Sequence, residues 1–91
     1  MKSEFTVKHG VGVQEVSWRE ISYECPESGY RVLICENPSM PDTLWTPVLY
    51  NAKGSRVDDY LNVSLVTARR WAVRRLREAR DNHRARQAAI R

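Results

Sequence analysis

The sequence has no hydrophobic run that approaches the roughly 18 residues of a membrane span. Its first residues, MKSEFTVK, lack the apolar segment of a signal peptide. Two cysteines and two histidines in 91 residues supply neither the CxxC spacing nor the neighbouring ligands of a zinc site. We therefore expect a cytoplasmic protein with no membrane partner, no metal and no cofactor.

The two cysteines lie on either side of a strong turn signal, Pro26-Glu27-Ser28-Gly29. A hairpin that turns there places Cys25 near Tyr30. The same register places Cys35 near Glu20, so the two thiols do not face each other. We predict two reduced, structural cysteines.

Residues suited to catalysis are few. Asp58 and Asp59 are adjacent, and neighbours in a strand face opposite sides, so they cannot share a proton. His9 and His83 are far apart, and a nucleophilic cysteine would have to reach from a buried strand to a loop histidine. We expect that the protein is not an enzyme.

Positive charge is unevenly distributed along the chain. Residues 1–63 carry six Lys or Arg against nine Asp or Glu, whereas residues 64–91 carry nine arginines, no lysine and two acids. The net charge of +4 therefore hides an acidic first part and a strongly basic second part. Guanidinium groups match phosphate and carboxylate with paired hydrogen bonds, so this second part is the best candidate for a binding surface.

The basic segment has a helical period. Its apolar residues fall on one stripe about 80° wide, with Val66 and Val73 at the edge. We predict a helix from Ser64 to about Arg80, capped by Ser64 or Asn62 and packed through this stripe. The stripe contains Leu65, Ala68, Ala72, Leu76 and Ala79, and His83 falls on it as well.

The arginines of this helix point mostly away from the apolar stripe. One interpretation is a row that binds phosphate; the other is a solvated face whose charges are balanced by acids of the same molecule. Trp71, at the margin of the stripe, anchors the helix in the core or, if partly exposed, stacks on a base or fills a partner's pocket. The pattern favours the core. The candidate binding arginines are Arg69, Arg70, Arg74, Arg77, Arg80 and Arg84, and the candidate acids are Glu20, Glu24, Glu36, Asp58 and Asp59.

The first 63 residues read as strands separated by turns. We predict an edge strand over 3–8, ended by a turn at His9-Gly10-Val11-Gly12. A long strand over 13–25 changes phase between Trp18 and Ile21, which predicts a β-bulge near Arg19 or Glu20.

Three further strands are predicted in the middle of the chain. Residues 30–36 are continuously apolar at their centre and suit the middle of a sheet. A loop over 37–42, which contains two prolines, leads to a strand over 44–50. Pro47 makes that strand an edge, or leaves the Pro47 side unpaired. A four-residue loop over 51–54 then leads to a strand over 55–60.

Together these segments predict an α+β fold, an antiparallel β-meander of four to five strands packed against one long C-terminal α-helix. We expect a single domain over residues 1–80. Residues 81–91 form either a basic helical extension or a frayed tail.

The order of three strands followed by a basic helix is similar in outline to the second half of a double-stranded-RNA-binding domain. The chain lacks the helix that opens that family, and Leu65-Val66-Thr67 stand where the family's lysines begin. We therefore do not assign the chain to it. In size and charge the chain also resembles accessory or inhibitor proteins of phages and mobile elements.

We expect a small non-catalytic binding protein whose arginine helix contacts nucleic acid or a nucleoprotein machine through phosphate. The alternative is a protein–protein adaptor or inhibitor that acts through its acidic sheet and the aromatic residues Trp18, Trp45 and Tyr50. A homodimer, formed between sheet edges or between acidic sheet and basic helix, fits either function.

Overall fold

The computed structural model describes residues 4–90, which form five strands and one helix. The strands pair antiparallel in the order β1-β2-β3-β4-β5, so each pairs with its neighbour in sequence. The helix packs on β2, β3 and β4. The predicted α+β meander is thus confirmed, with all five strands present. The elements are β1 Thr6–Val13, β2 Ser17–Glu24, β3 Arg31–Glu36, β4 Trp45–Tyr50, β5 Arg56–Asp59 and α1 Leu65–Ile90.

The core lies between α1 and one face of the sheet. Alternate residues of β2, β3 and β4 point to this face, as the pleat of a strand requires. The helix contributes two alanines, which let its backbone approach the sheet, and the fully buried Leu76. The buried core residues include Ile21, Tyr23, Val32, Ile34, Trp45, Leu49, Ala68, Trp71, Ala72 and Leu76.

The start of α1 follows the prediction. The Ser64 hydroxyl accepts a hydrogen bond from the Thr67 amide at 3.2 Å, which makes Ser64 the N-cap. The helix then continues past Arg80 without a break to Ile90. Val66, predicted at the edge of the packed stripe, is instead 58% exposed.

The prediction of a turn at residues 9–12 is wrong, because β1 runs through both glycines and the turn falls at residues 14–16. Packing accounts for the glycine at position 12, because a Cβ there would overlap the indole ring of Trp18 on the neighbouring strand. The predicted bulge is also wrong, because the β1–β2 register is continuous from Thr6 to Val13. Trp18 and Ile21 are out of phase because they lie on opposite faces of a regular strand.

β4 is not an edge strand, since it lies between β3 and β5. The carbonyl of Pro47 accepts a hydrogen bond from the amide of Tyr60, just after β5 ends. The N and C=O groups of one residue point to the same side of a strand, so the N–H that proline lacks would point beyond the end of β5. The Pro47 side therefore keeps one bond, from the Tyr60 amide, and lacks the return bond to the Tyr60 carbonyl, which falls outside the β4–β5 pairing.

Both cysteines are free, as predicted. The Cys25 amide donates to the Tyr30 carbonyl at 2.9 Å. Cys35 lies opposite Glu20 in the β2–β3 register. Burial, and then the nearby carboxylate of Glu20, raise the pKa of the Cys35 thiol.

Candidate nucleic-acid interface

The side of α1 that faces away from the sheet presents several arginines. Arg70, Arg74 and Arg77 are all exposed, as their helical positions predict. They lie along a shallow surface cavity of about 550 Å³. The cavity is lined by Arg69, Arg70, Val73, Arg74, Arg77, Glu78 and Asp81.

Two of the candidate arginines bind one carboxylate near the start of the chain. Arg77 donates two hydrogen bonds to Glu4, at 2.7 and 3.2 Å, and Arg80 donates to the same carboxylate. The two bonds from Arg77, and then the one from Arg80, lower the pKa of Glu4 to about 2. The two guanidinium groups are therefore already engaged with an anion.

Acids also engage the helix at two other places. Arg84 donates two hydrogen bonds to Glu27, at 2.6 and 2.8 Å, and these lower the pKa of Glu27. Arg75 lies 3.3 Å from the carboxylate of Asp58. The interpretation that acids of the same molecule balance the arginines is thus correct for part of the helix. Among the five predicted acids, the ion pairs of residues 4–90 bring only Asp58 to a helix arginine.

Sequence reasoning missed Glu4 and Glu27 as partners. Both are separated from their arginines by more than fifty residues, and no local spacing relates them. Glu27 lies in the predicted β2–β3 turn, whereas Glu4 lies just before β1. Their roles follow from where the sheet places these two ends relative to the helix.

Arg69 and Trp71 belong to the interior more than to the surface. Arg69 donates to the hydroxyl of Tyr23 at 2.7 Å and is half-buried. Trp71 is only 7% exposed, so its ring is not available to stack on a base. Arg70 and Arg74 remain the least engaged candidates: Arg70 makes no ion pair within residues 4–90, and Arg74 lies 4.0 Å from Glu78.

A second surface lies on the opposite side of the sheet, where no layer of residues 4–90 covers the strands. Trp18 and Tyr50, both partly buried, lie on this face, and Arg31 stacks on the Tyr50 ring with 4.7 Å from Cζ to the centroid. Leu33 lies between them and was not predicted as part of the surface. Trp45 does not belong to it, because Trp45 faces the helix and is 2% exposed.

An ion-pair network fixes the loop that follows β3. Glu36 is buried and accepts hydrogen bonds from the Arg19 guanidinium, including one of 3.1 Å from Nε, and from the Asp42 amide at 3.1 Å. The Arg19 bonds are the main reason that the pKa of Glu36 falls to about 2. This network gives the two-proline loop a structural role.

No three His, Cys, Asp or Glu side chains within residues 4–90 are grouped so that they could hold a metal ion. No helix in that part of the chain is long and apolar enough to cross a membrane. No known protein family, curated protein or solved structure matches the chain. Its function must therefore be inferred from its own surface chemistry.

Proposed function

We propose that this is a non-catalytic nucleic-acid-binding protein whose α1 holds phosphate groups on its exposed face. The observation that carries the proposal is the position of three exposed arginines along one shallow cavity: Arg70, Arg74 and Arg77. A guanidinium group donates two parallel hydrogen bonds to a phosphate, which makes arginine the residue best suited to such contacts.

Arg70 and Arg74 are the centre of the proposed interface. Neither makes a close hydrogen bond to a carboxylate within residues 4–90, so a phosphate there displaces little. Arg77 extends the row, which at 1.5 Å per residue covers about 10 Å of helix. Such a row can follow neighbouring phosphates of one backbone, and this kind of contact carries no base specificity.

The second candidate function is a protein adaptor or inhibitor. The uncovered outer face of the sheet, with Trp18, Leu33 and Tyr50, favours it, because aromatic residues with apolar neighbours are typical of protein interfaces. Salt separates the two functions. Phosphate contacts release counterions and weaken steeply with salt, whereas an aromatic-centred interface depends on salt only weakly.

The test replaces Arg70, Arg74 and Arg77 together by Gln and measures affinity for DNA and RNA at several salt concentrations. We expect weaker binding and a salt slope reduced by up to about three phosphate contacts. The melting temperature should change little, since exposed ion pairs contribute only about 0–1 kcal/mol each. The matched control replaces Arg31, Lys53 and Arg56 by Gln, which removes the same charge outside the cavity on α1.

Two outcomes contradict the proposal. If the wild-type protein binds neither DNA nor RNA at low salt, it is not a nucleic-acid-binding protein, and the adaptor function takes its place. If the control variant loses as much affinity as the helix variant, net charge alone drives binding and α1 is not the interface.

A further inference from the structure

The two edges of the sheet differ. β5 has four residues, whereas β1 has eight and, among the described strands, pairs only with β2. Edge strands are usually guarded by charges, proline or bulges. β1 contains no proline and no register shift, and Lys8 is its one Lys, Arg, Asp or Glu residue. Within residues 4–90, α1 packs on β2, β3 and β4 and does not cover β1.

The free backbone groups of β1 can be identified from the next strand. The amide of Arg19 donates to Glu36 on the β3 side, and that of Cys25 donates to Tyr30. Successive residues of a strand direct these groups to alternate sides, so the even-numbered residues of β2 bond to β1. They lie opposite Thr6, Lys8, Gly10 and Gly12. The open edge therefore presents the N–H and C=O groups of Val7, His9, Val11 and Val13.

We propose that β1 pairs antiparallel with β1 of a second copy, about a two-fold axis that passes through Gly10. Such an axis, perpendicular to the sheet, keeps both helices on the same side and places residues of the same face opposite each other. With Gly10 on the axis, Val7 lies opposite Val13 of the second copy and His9 lies opposite Val11. All four outward residues are then paired, which gives about eight backbone hydrogen bonds.

The neighbouring symmetric registers are poorer. An axis through His9 or through Val11 leaves one of the four outward residues without a partner in each copy. Gly10 also suits the axis, because no heavy atom lies within 4 Å of the position of a Cβ there. A side chain introduced at position 10 would therefore meet no atom of the same chain within residues 4–90.

Charge complementarity supports the same register. Lys8 would lie opposite Gly12 of the second copy, on the outer face. The carboxylate of Glu20 reaches over Gly12, with Oε1 2.5 Å from where a Cβ would sit. Glu20 accepts a hydrogen bond from Trp18 and makes no ion pair within residues 4–90. The ammonium group of Lys8 would therefore meet an anion that has no cationic partner.

The apolar side chains of the edge also become paired. Val7, Val11 and Val13 are 43%, 66% and 73% exposed, and all three lie on the inner face of the sheet. In the proposed dimer Val7 lies beside Val13 of the second copy, and Val11 lies beside its His9. Their burial removes apolar area from water, which favours association.

The first test measures mass by sedimentation or light scattering. We expect the wild-type protein at twice the 10.6 kDa of one chain. Lys8→Glu and Glu20→Lys should each shift the protein toward monomer. A dimer of either variant alone places charges of the same sign next to each other at both of the symmetry-related contacts between positions 8 and 20. An equimolar mixture of the two variants should dimerise again, since every contact in the mixed dimer joins opposite charges. Rescue in a mixture cannot arise within one chain.

The second test uses Gly10→Cys. Two residues on the axis in this type of pair have Cα atoms about 4.5 Å apart, which is within the range of a disulfide. Mild oxidation should crosslink this variant into a covalent dimer. Lys53→Cys, in the β4–β5 turn, is the matched control, and the wild-type cysteines give the background. Neither should crosslink efficiently.

Either of two results overturns the proposal. One is a wild-type protein that stays monomeric at the highest soluble concentration. The other is a dimer that neither responds to mixing of the charge variants nor crosslinks through Gly10→Cys, which would place the interface elsewhere. Nucleic-acid binding by α1 is measured separately and does not decide either result.

Discussion

Arg77 donates two hydrogen bonds to the carboxylate of Glu4, although 73 residues separate them in the sequence. The same guanidinium lines the cavity in which we propose that phosphate binds. A carboxylate and a phosphate use the same donors, so they cannot both hold Arg77 in this way. Glu4 is therefore an internal competitor of the ligand.

Replacement of Glu4 by Gln should strengthen nucleic-acid binding. The change releases Arg77 and Arg80 from an anion and adds one unit of positive charge near the cavity. We expect affinity at low salt to rise about threefold or more, with a steeper dependence on salt. Glu15→Gln, in the exposed β1–β2 turn, makes the same change of charge away from α1. Equal gains in the two variants would show that Glu4 does not compete.

The same carboxylate should make stability depend on pH. Its pKa is about 2 in the folded protein, below the ordinary value of about 4.3 for Glu. A lowered pKa means that the contribution is complete above about pH 4.5 and is lost as the pH falls toward 2. In urea unfolding, the difference between wild type and Glu4→Gln should be larger at pH 6 than at pH 3. A difference that does not change over this range would contradict the ion pair.

Leu76→Ala tests how α1 packs on the sheet. Leu76 is fully buried at the centre of the packed face, so its truncation should cost about 2–4 kcal/mol of unfolding free energy. Val66→Ala is the control, because Val66 lies on the same helix but is mostly exposed, and it should change stability by about 0.5 kcal/mol or less. Thermal or urea unfolding measures both. A Leu76 variant as stable as the Val66 variant would mean that the helix does not dock as described.

The parts of the fold that local pattern determines were predictable. The helical period and the Ser64 cap locate α1, and the run through Val32 and Ile34 locates the central strand. The burial of Trp71 also follows from the pattern, because it lies at the margin of the apolar stripe. These features depend on residues that are close in sequence, so periodicity detects them.

The parts that depend on distant residues were not predictable. Gly12 can mark either a turn or a strand position over which another side chain packs closely. Which of the two applies depends on Trp18, on the neighbouring strand of the hairpin. Which of the described arginines form close ion pairs depends on Glu4 and Glu27, which the folded sheet brings to α1. The sequence therefore identifies the basic helix as the candidate site, whereas the structure of residues 4–90 separates the arginines held by Glu4 and Glu27 from Arg70 and Arg74.

The two glycines of β1 provide the last prediction. A Cβ on Gly12 would overlap the Trp18 ring, whereas a Cβ on Gly10 would meet no atom within 4 Å. Gly12→Ala should therefore displace the indole from its hydrogen bond to Glu20 and cost about 1–3 kcal/mol, as overpacking does. Gly10→Ala should be neutral or stabilise the protein by up to about 1 kcal/mol, because alanine loses less backbone entropy in a strand. Unfolding curves and tryptophan fluorescence of the two variants measure the contrast. Similar stabilities and spectra would show that Trp18 does not rest on Gly12.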